Sequence, residues 1–586
     1  MLSPNWLGLI ASLLFILLQS QTIAATADQV KEDREPEAAT GIEQKQAVKA
    51  KKFMVVAANP YASRIGYNIL KQGGSAIDAA IAVQMALNLV EPQSSGIGGG
   101  SFILHWDRHQ QKLTTFDGRE TAPKRAQQDL FLDQSGKAIP WIKAVVGGRS
   151  VGVPGVLSAL KKAHQQYGKL PWEMLFQDAI KLAESGFRVS PRLQKLVELE
   201  FNPGITELPE IYHYFFPNGR PVQAGDKLKN PKLAKVYSTI AKEGITPFYR
   251  GWIAKSIVKA VQESPIAPGV LSLEDMANYQ AVERAAVCGA YRKYQICGMA
   301  PPSSGGVAVI QILSQLAPFK MFQRKFEDVQ TVHLFTQSSR LAFADRERFM
   351  ADNDFVKVPV DGLLEPAYLQ QRTELINIHQ DVNRAQPGMP KGALALADDN
   401  ALELPSTSHI SIVDADGNAV SMTTSIEMGF GSAVMVEGFI LNNQLTDFSL
   451  QPEVNGKLVA NRLEPLKRPR SSMAPMMVFE DGALKIVVGS PGGSRIIDYV
   501  AQTLLAMLDW QLNPQEAINL PKVTNRNRVT TLEKGTSIEQ IKSGLEAKGH
   551  KVYLRDLNSG LHAIEVTPYG LVGGADPRRE GKVMGD

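Results

Sequence analysis

The sequence predicts a layered α/β fold, an α+β arrangement in which helices pack on sheets. Three observations carry that expectation. A capping-box helix signal sits near residue 75, the stretch from about 155 to 280 is mainly helical with Pro and Gly breaks, and from Thr407 onward the pattern turns to alternating strands. The 586 residues are 44% hydrophobic and 21% charged, enough apolar material for a large core. With 63 basic and 59 acidic side chains the formal net charge is +4, a balance that argues against a nucleic-acid or membrane-surface role.

At the N-terminus, Trp6 to Leu18 is almost wholly apolar yet short for a membrane span, and Ala25-Thr26-Ala27 follows as a small-x-small cleavage site. Residues 1–27 therefore read as a signal peptide, with cleavage after Ala24 as an alternative. Export to a periplasm or the medium is expected, and retention as an uncleaved anchor is the second reading. Residues 28–52 are polar and charged and read as a flexible leader, with ordered structure starting near Phe53.

Tyr61 to Gln72 reads as a helix stopped by Gly73-Gly74, and Ser75-Ala76-Ile77-Asp78 as a capping box for a second helix. That helix, Ala79 to Val90, is apolar nearly all round and so should be buried. The loop Ser94-Ser95-Gly96-Ile97-Gly98-Gly99-Gly100 marks a close backbone approach before a strand, Ser101 to Trp106. It lacks both P-loop and dinucleotide spacing, which argues against a nucleotide site. The segment Cys288 to Cys297 reads as a hairpin turning at Arg292-Lys293, which sets Cys288 opposite Cys297. A disulfide or two ordinary buried thiols are both consistent with that register. Pro301 to Gly306 is a turn before a helix, Val307 to Leu316. Residues 386–405, rich in Pro, Gly, Ala and Asp, form a connector.

Thr407 to Val413 then alternates as a strand, residues 414–418 turn, and Ala419 to Ser425 returns. Further strands are expected at Ala433 to Asn442, Met476 to Glu480 and Leu484 to Gly489, and a helix from about Ser494 to Trp510. A connector running into a strand that begins with Thr suggests chemistry. If the bond between Ser406 and Thr407 is cut, Thr407 carries a hydroxyl and a free α-amine, whose unperturbed pKa of about 7.7–8.0 suits a base near neutral pH. Taken alone, a Thr at a strand start means only β-propensity.

Thr407 is accompanied by several motifs in order. These are Thr407-Ser408-His409 with Asp416-Gly417-Asn418-Ala419-Val420, then Leu441-Asn442-Asn443-Gln444-x-x-Asp447-Phe448. Next come Lys467-Arg468-Pro469-x-Ser471-Ser472-Met473 and Gly489-Ser490-Pro491-Gly492-Gly493-Ser494-Arg495. Upstream stand Ala79-Ala80 through Gly100 and Arg119-Glu120-Thr121-Ala122-Pro123. From about Phe53 to Asp586 the chain resembles the γ-glutamyltransferase (γ-glutamyltranspeptidase) family.

The resemblance implies an αββα sandwich of the N-terminal-nucleophile hydrolase type. It implies self-cleavage into a large chain, 53–406, and a small catalytic chain, 407–586, which stay together as a heterodimer. It makes Ser406 and Thr407 the cleavage site and Thr407 the nucleophile, with Thr423 and Ser425 as hydroxyls near it and Gly492 and Gly493 as oxyanion-hole glycines. A Pro-Gly-Gly turn presents backbone N–H groups suited to that role. For a γ-glutamyl group it implies Arg119, Ser471 and Ser472 on the α-carboxylate, and Gln444 and Asp447 on the α-ammonium. The implied partners are glutathione and other γ-glutamyl compounds, with water, amino acids or peptides as acceptors. No cofactor, metal or nucleic acid is implied.

Two departures from the family pattern matter. Glu427 stands where many relatives have Asn, which adds an acceptor and negative charge. The segment between Asp447 and Ser471 is short and has no Tyr, so a more open site that favours hydrolysis is expected. His409 lies two residues from Thr407 on the same strand and reads as structural. The alternatives are a glutaryl or cephalosporin-type acylase on the same scaffold, and an uncleaved periplasmic binding protein.

Overall fold

The structure is a computed structural model that describes residues 41–586. The signal peptide and residues 28–40 of the leader lie outside the described residues. The rest of the leader is more ordered than its composition suggests. Val48–Ala50 is a strand paired with Gly570–Ala575, and Lys45 Nζ donates to the carbonyls of Asp576, Arg579 and Gly581 at 2.7–2.8 Å. Polarity misleads here because the strand's backbone, not an apolar side-chain pattern, supplies the pairing.

Two seven-stranded antiparallel sheets form the centre. The first runs Lys582–Gly585, Met54–Ala57, Ser408–Val413, Ala419–Ser425, Gly100–Asp107, Lys112–Gly118, Val282–Arg284. The second runs Val48–Ala50, Gly570–Ala575, His562–Thr567, Ala483–Gly489, Met476–Glu480, Tyr294–Gly298, Val287–Tyr291. Strand alternation divides the first sheet's side chains between two cores. Val55, Ala57, Ile103, Ile410, Ile412, Val420 and Met422 join helices Pro60–Lys71, Ala76–Val90 and Val156–Tyr167. Met54, Val56, Phe102 and Leu104 face the second sheet, in one cluster with Met477, Val487 and Ile564. Helices Gly305–Leu316, Val329–Phe349 and Ile496–Asp509 belong to that second cluster. The layers are therefore helix, sheet, sheet, helix. Ser411 Oγ bonds the His562 carbonyl at 3.2 Å and Ser421 Oγ the Val488 carbonyl at 3.0 Å, so the two sheets are also tied by hydrogen bonds.

The helix Ala76–Val90 is buried at every position and opens on the Ser75/Asp78 capping box, as its composition requires. The hairpin register sets Cys288 against Cys297, and the two sulfurs are bonded at 2.07 Å. The expected strand Ala433 to Asn442 is instead two short strands, Met435–Val436 and Phe439–Ile440. Glu437 and Gly438, at φ of 48° and 86°, turn the chain between them. Each sheet draws strands from both sides of residue 407, so the two portions are interleaved rather than separate domains.

Candidate active site

Thr407 sits at the mouth of the strand Ser408–Val413, next to Ala419–Ser425. Ladder pairing sets Ser408 opposite Thr424 and so brings Ser425 beside Thr407, whose hydroxyl donates to Ser425 Oγ at 3.0 Å. Ser425 Oγ also accepts from the Glu427 amide at 2.8 Å, which fixes it in place. The glycine loop backs this strand. A side chain on Gly99 would lie 2.1 Å from the Ser425 carbonyl, which is the close approach the loop's composition anticipates. Thr423 lies opposite His409 in the same ladder. Its hydroxyl is hydrogen-bonded to His409 Nδ1 at 2.8 Å, and it does not line the cleft. His409 binds Ser411 Oγ through its other nitrogen at 3.0 Å. Burial, with His562 second, holds its pKa well below the usual imidazole value, so it is a neutral inter-strand link rather than a base.

Thr407 has φ 90°, a left-handed backbone that a β-branched residue rarely adopts. Such a conformation costs on the order of 1–3 kcal/mol and persists only when its surroundings hold it. Those surroundings are on the page. The carbonyl of Ser406 accepts from Gly492 N–H at 3.1 Å, and Ser406 Oγ donates to the Gln93 carbonyl at 3.1 Å. Gly492 and Gly493 both have positive φ, 132° and 58°. A Cβ on Gly493 would stand 2.7 Å from the Leu404 carbonyl carbon, so the turn is pressed directly against the chain entering Thr407.

A cleft of about 20 Å³ lies before Thr407. Arg119, Glu403, Ser425, Glu427, Gln444, Asp447, Ser471, Ser472 and Gly493 line it, so most of the residues chosen from sequence converge there. Arg119 is buried and pairs with Asp447, and its guanidinium also donates to the carbonyls of Pro469 at 3.2 Å and Arg470 at 2.8 Å. Gln444 Oε1 is a buried acceptor with no hydrogen-bond partner, and Asp447 shares a side-chain hydrogen bond with Glu427. An unpaired amide oxygen beside two carboxyls calls for a donor, and an ammonium supplies three.

From sequence, Glu427 contributes an added negative charge. Its surroundings oppose that charge: burial first, and the charge of Asp447 second, push the Glu427 carboxyl well above its ordinary value, while burial also raises Asp447 against the pull of Arg119. Asn443 Nδ2 donates to the Glu427 Oε2 at 3.3 Å.

Three participants escape the sequence reading. Glu403, four positions before Thr407, puts its carboxylate on Ser472 Oγ and on the guanidiniums of Arg346 and Arg470. No local spacing announces this cluster, because Arg346 lies on the helix Val329–Phe349 and meets Glu403 only through the fold. Arg470 fills the unspecified position of the motif Lys467-Arg468-Pro469-x-Ser471, which gives no sign of its ion pairs.

Two stacked antiparallel sheets between helices, with a Thr hydroxyl at a strand mouth and a backbone donor on the preceding carbonyl, define the N-terminal-nucleophile hydrolase architecture. The family model described as gamma-glutamyltranspeptidase matches residues 62–586. The chain is 36% identical to the glutathione hydrolase proenzyme of Bacillus subtilis (strain 168), over 99% of this chain and 98% of that one. It is 38% identical to the glutathione hydrolase proenzyme of Escherichia coli (strain K12), over 91% of each chain. Among solved structures, the cephalosporin acylase from Bacillus halodurans superposes with a TM-score of 0.83 at 29% identity, covering 93% of this chain and 97% of that one. The chain belongs to the gamma-glutamyltranspeptidase family.

Proposed function

We propose that the chain is a γ-glutamyltransferase and glutathione hydrolase that cuts itself before Thr407 and then uses Thr407 as its nucleophile. The observation that carries this reading is the 3.1 Å hydrogen bond from Gly492 N–H to the Ser406 carbonyl, beside a Thr407 of strained backbone whose hydroxyl rests on Ser425. In the intact chain the Thr407 hydroxyl attacks that carbonyl carbon. A C–O bond forms, the C–N bond breaks, and the hydroxyl proton ends on the departing nitrogen. Water then hydrolyses the ester, leaving a carboxylate on Ser406 and a free amine on Thr407. Gly492 stabilises the oxyanion by a donor already in place.

The new amine serves as base for the second reaction. Thr407 Oγ attacks the γ-carbonyl of a donor such as glutathione, the amine leaves with a proton, and water or an amino acid or peptide takes the γ-glutamyl group from the ester. Arg119, Ser471 and Ser472 meet the α-carboxylate, and Gln444, Asp447 and Glu427 the α-ammonium. The two chains remain a heterodimer because both sheets interleave them. A preference for hydrolysis over transfer is part of the proposal, supported by the lack of a Tyr between Asp447 and Ser471.

The likeness to a cephalosporin acylase raises a second reading, a glutaryl-type acylase. Glutaryl groups lack the ammonium that the unpaired oxygen of Gln444 and the carboxyls of Asp447 and Glu427 suit, which favours the γ-glutamyl reading. Export to the periplasm or medium is part of the proposal. It is supported by residues 1–27 and by a disulfide between Cys288 and Cys297, a bond that persists in oxidising compartments. The test is release of chromophore from a γ-glutamyl anilide, compared with the matching glutaryl anilide. Turnover of the γ-glutamyl compound at least tenfold faster supports the proposal, and preference for the glutaryl compound overturns it.

A further inference from the structure

Glu403 stands in the place a substrate needs. It is 6% exposed and lines the same cleft as Thr407, Arg119, Ser471 and Ser472. Its carboxylate takes the hydroxyl of Ser472, the guanidinium of Arg346 and, at 3.2 Å, that of Arg470. Arg346 in turn donates to Ser472 Oγ at 2.6 Å and Ser304 Oγ at 2.8 Å. The two guanidiniums and Ser472 overcome burial and hold the Glu403 carboxyl down at about 2, so it is ionised throughout the neutral range.

The partners of these arginines share an origin. Among the described residues Arg346 pairs with one carboxylate, Glu403, and Arg470 pairs with Glu403 and with Asp399 at 3.0 Å. Both acids lie on the stretch between helix Pro366–Glu374 and strand Ser408–Val413, which contains no helix or sheet strand of its own. That stretch ends at the scissile bond. Once the bond is cut nothing covalent holds Glu403 beside Thr407. A buried arginine left without a counter-ion is costly, so the vacated position favours another carboxylate.

We propose that Glu403 is a built-in substitute for the substrate carboxylate. In the uncut chain it occupies a subsite formed by Ser472, Arg346 and Arg470, positions the Ser406 carbonyl on Gly492 N–H for the cut, and excludes γ-glutamyl compounds until the cut is made. Arg346 is thereby added to the groups that receive the substrate carboxylate. The inference rests on the self-cleavage reading above and extends it. A short run, Leu404-Pro405-Ser406, links the anchored carboxylate to the reacting carbonyl. Pro405 fixes one of its backbone angles, so anchoring Glu403 limits where that carbonyl can go.

The test uses the full-length protein in two arms. In the first, Glu403→Gln is followed by denaturing gel beside wild type. Loss of a charge-assisted anchor slows the appearance of two chains about 10-fold or more, and Glu403→Asp falls between. In the second, uncut Thr407→Ala is compared with Thr407→Ala/Glu403→Ala by thermal unfolding with and without L-glutamate. The double variant gains melting temperature from L-glutamate and the single variant does not. The same response in both proteins, or cleavage of Glu403→Gln at the wild-type rate, overturns the inference. Wild type that neither cuts itself nor hydrolyses a γ-glutamyl anilide defeats the functional reading instead, so the two failures are distinguishable.

Discussion

Gly493→Ala tests the geometry of self-cleavage at its tightest contact. The added Cβ would lie 2.7 Å from both the carbonyl carbon and oxygen of Leu404 and 3.0 Å from Pro405 N. All three are backbone atoms of the chain leading to the scissile bond, so no side chain can rotate away. Relief to ordinary contact, about 3.4 Å or more, moves that chain by at least half an ångström. The φ of 58° adds strain of roughly 1 kcal/mol for alanine. The displaced carbonyl no longer meets Gly492 N–H at 3.1 Å. Removing one oxyanion donor costs about 2.7–4 kcal/mol, or about 10²–10³ in rate. A gel time course of freshly made protein reads this directly, with a melting curve to establish that the variant is folded. Folded Gly493→Ala that is cut at the wild-type rate would refute the assignment of this turn as the oxyanion site.

Two further outcomes follow from the site's electrostatics. Asp447→Asn removes one charge-assisted contact to the proposed ammonium and the partner of Arg119. Loss of about 1.5–3 kcal/mol raises KM for a γ-glutamyl anilide about 10- to 100-fold, whereas an unchanged KM would place the ammonium elsewhere. Glu120 is buried 3.8 Å from Arg119, and burial outweighs that charge to push its carboxyl from 4.5 up to about 8. A raised folded-state pKa contributes stability that is whole below pH 4.5 and is lost as pH rises through 8. Glu120→Gln cannot ionise, so its melting temperature relative to wild type should rise between pH 5 and pH 8.5, with on the order of 5 kcal/mol involved at full ionisation. A constant difference across that range would show that Glu120 does not titrate on folding.

What the sequence discloses here depends on how local the determinant is. The helix Ala76–Val90 is legible because its cap and its apolar faces are both encoded within sixteen residues. The Cys288–Cys297 pairing follows from a hairpin whose turn sits midway between them. The break in the strand pattern at Glu437-Gly438 was hidden because Val, Met and Phe on both sides keep the β signal while two left-handed residues turn the backbone. The strand Val48–Ala50 was hidden for the opposite reason, since its ladder partner lies more than 500 residues away.

The site divides along the same line. Arg119, Gln444, Asp447, Ser471, Ser472 and the Gly492-Gly493 turn stand in motifs and converge on one cleft. Glu403 and Arg346 carry no motif, because their meaning comes from a pairing 57 residues apart that exists only in the fold. The upward push on the Glu427 carboxyl is likewise set by burial beside Asp447, a quantity no linear spacing contains.

The account stands on a bond that must break at one place. Intact-mass measurement of the purified, mature protein addresses it without any substrate. The prediction is two polypeptides, the smaller with the mass of residues 407–586 and a free threonine amine. A single unbroken chain that nonetheless turns over γ-glutamyl anilide, or a smaller chain that begins at any residue other than Thr407, would contradict it.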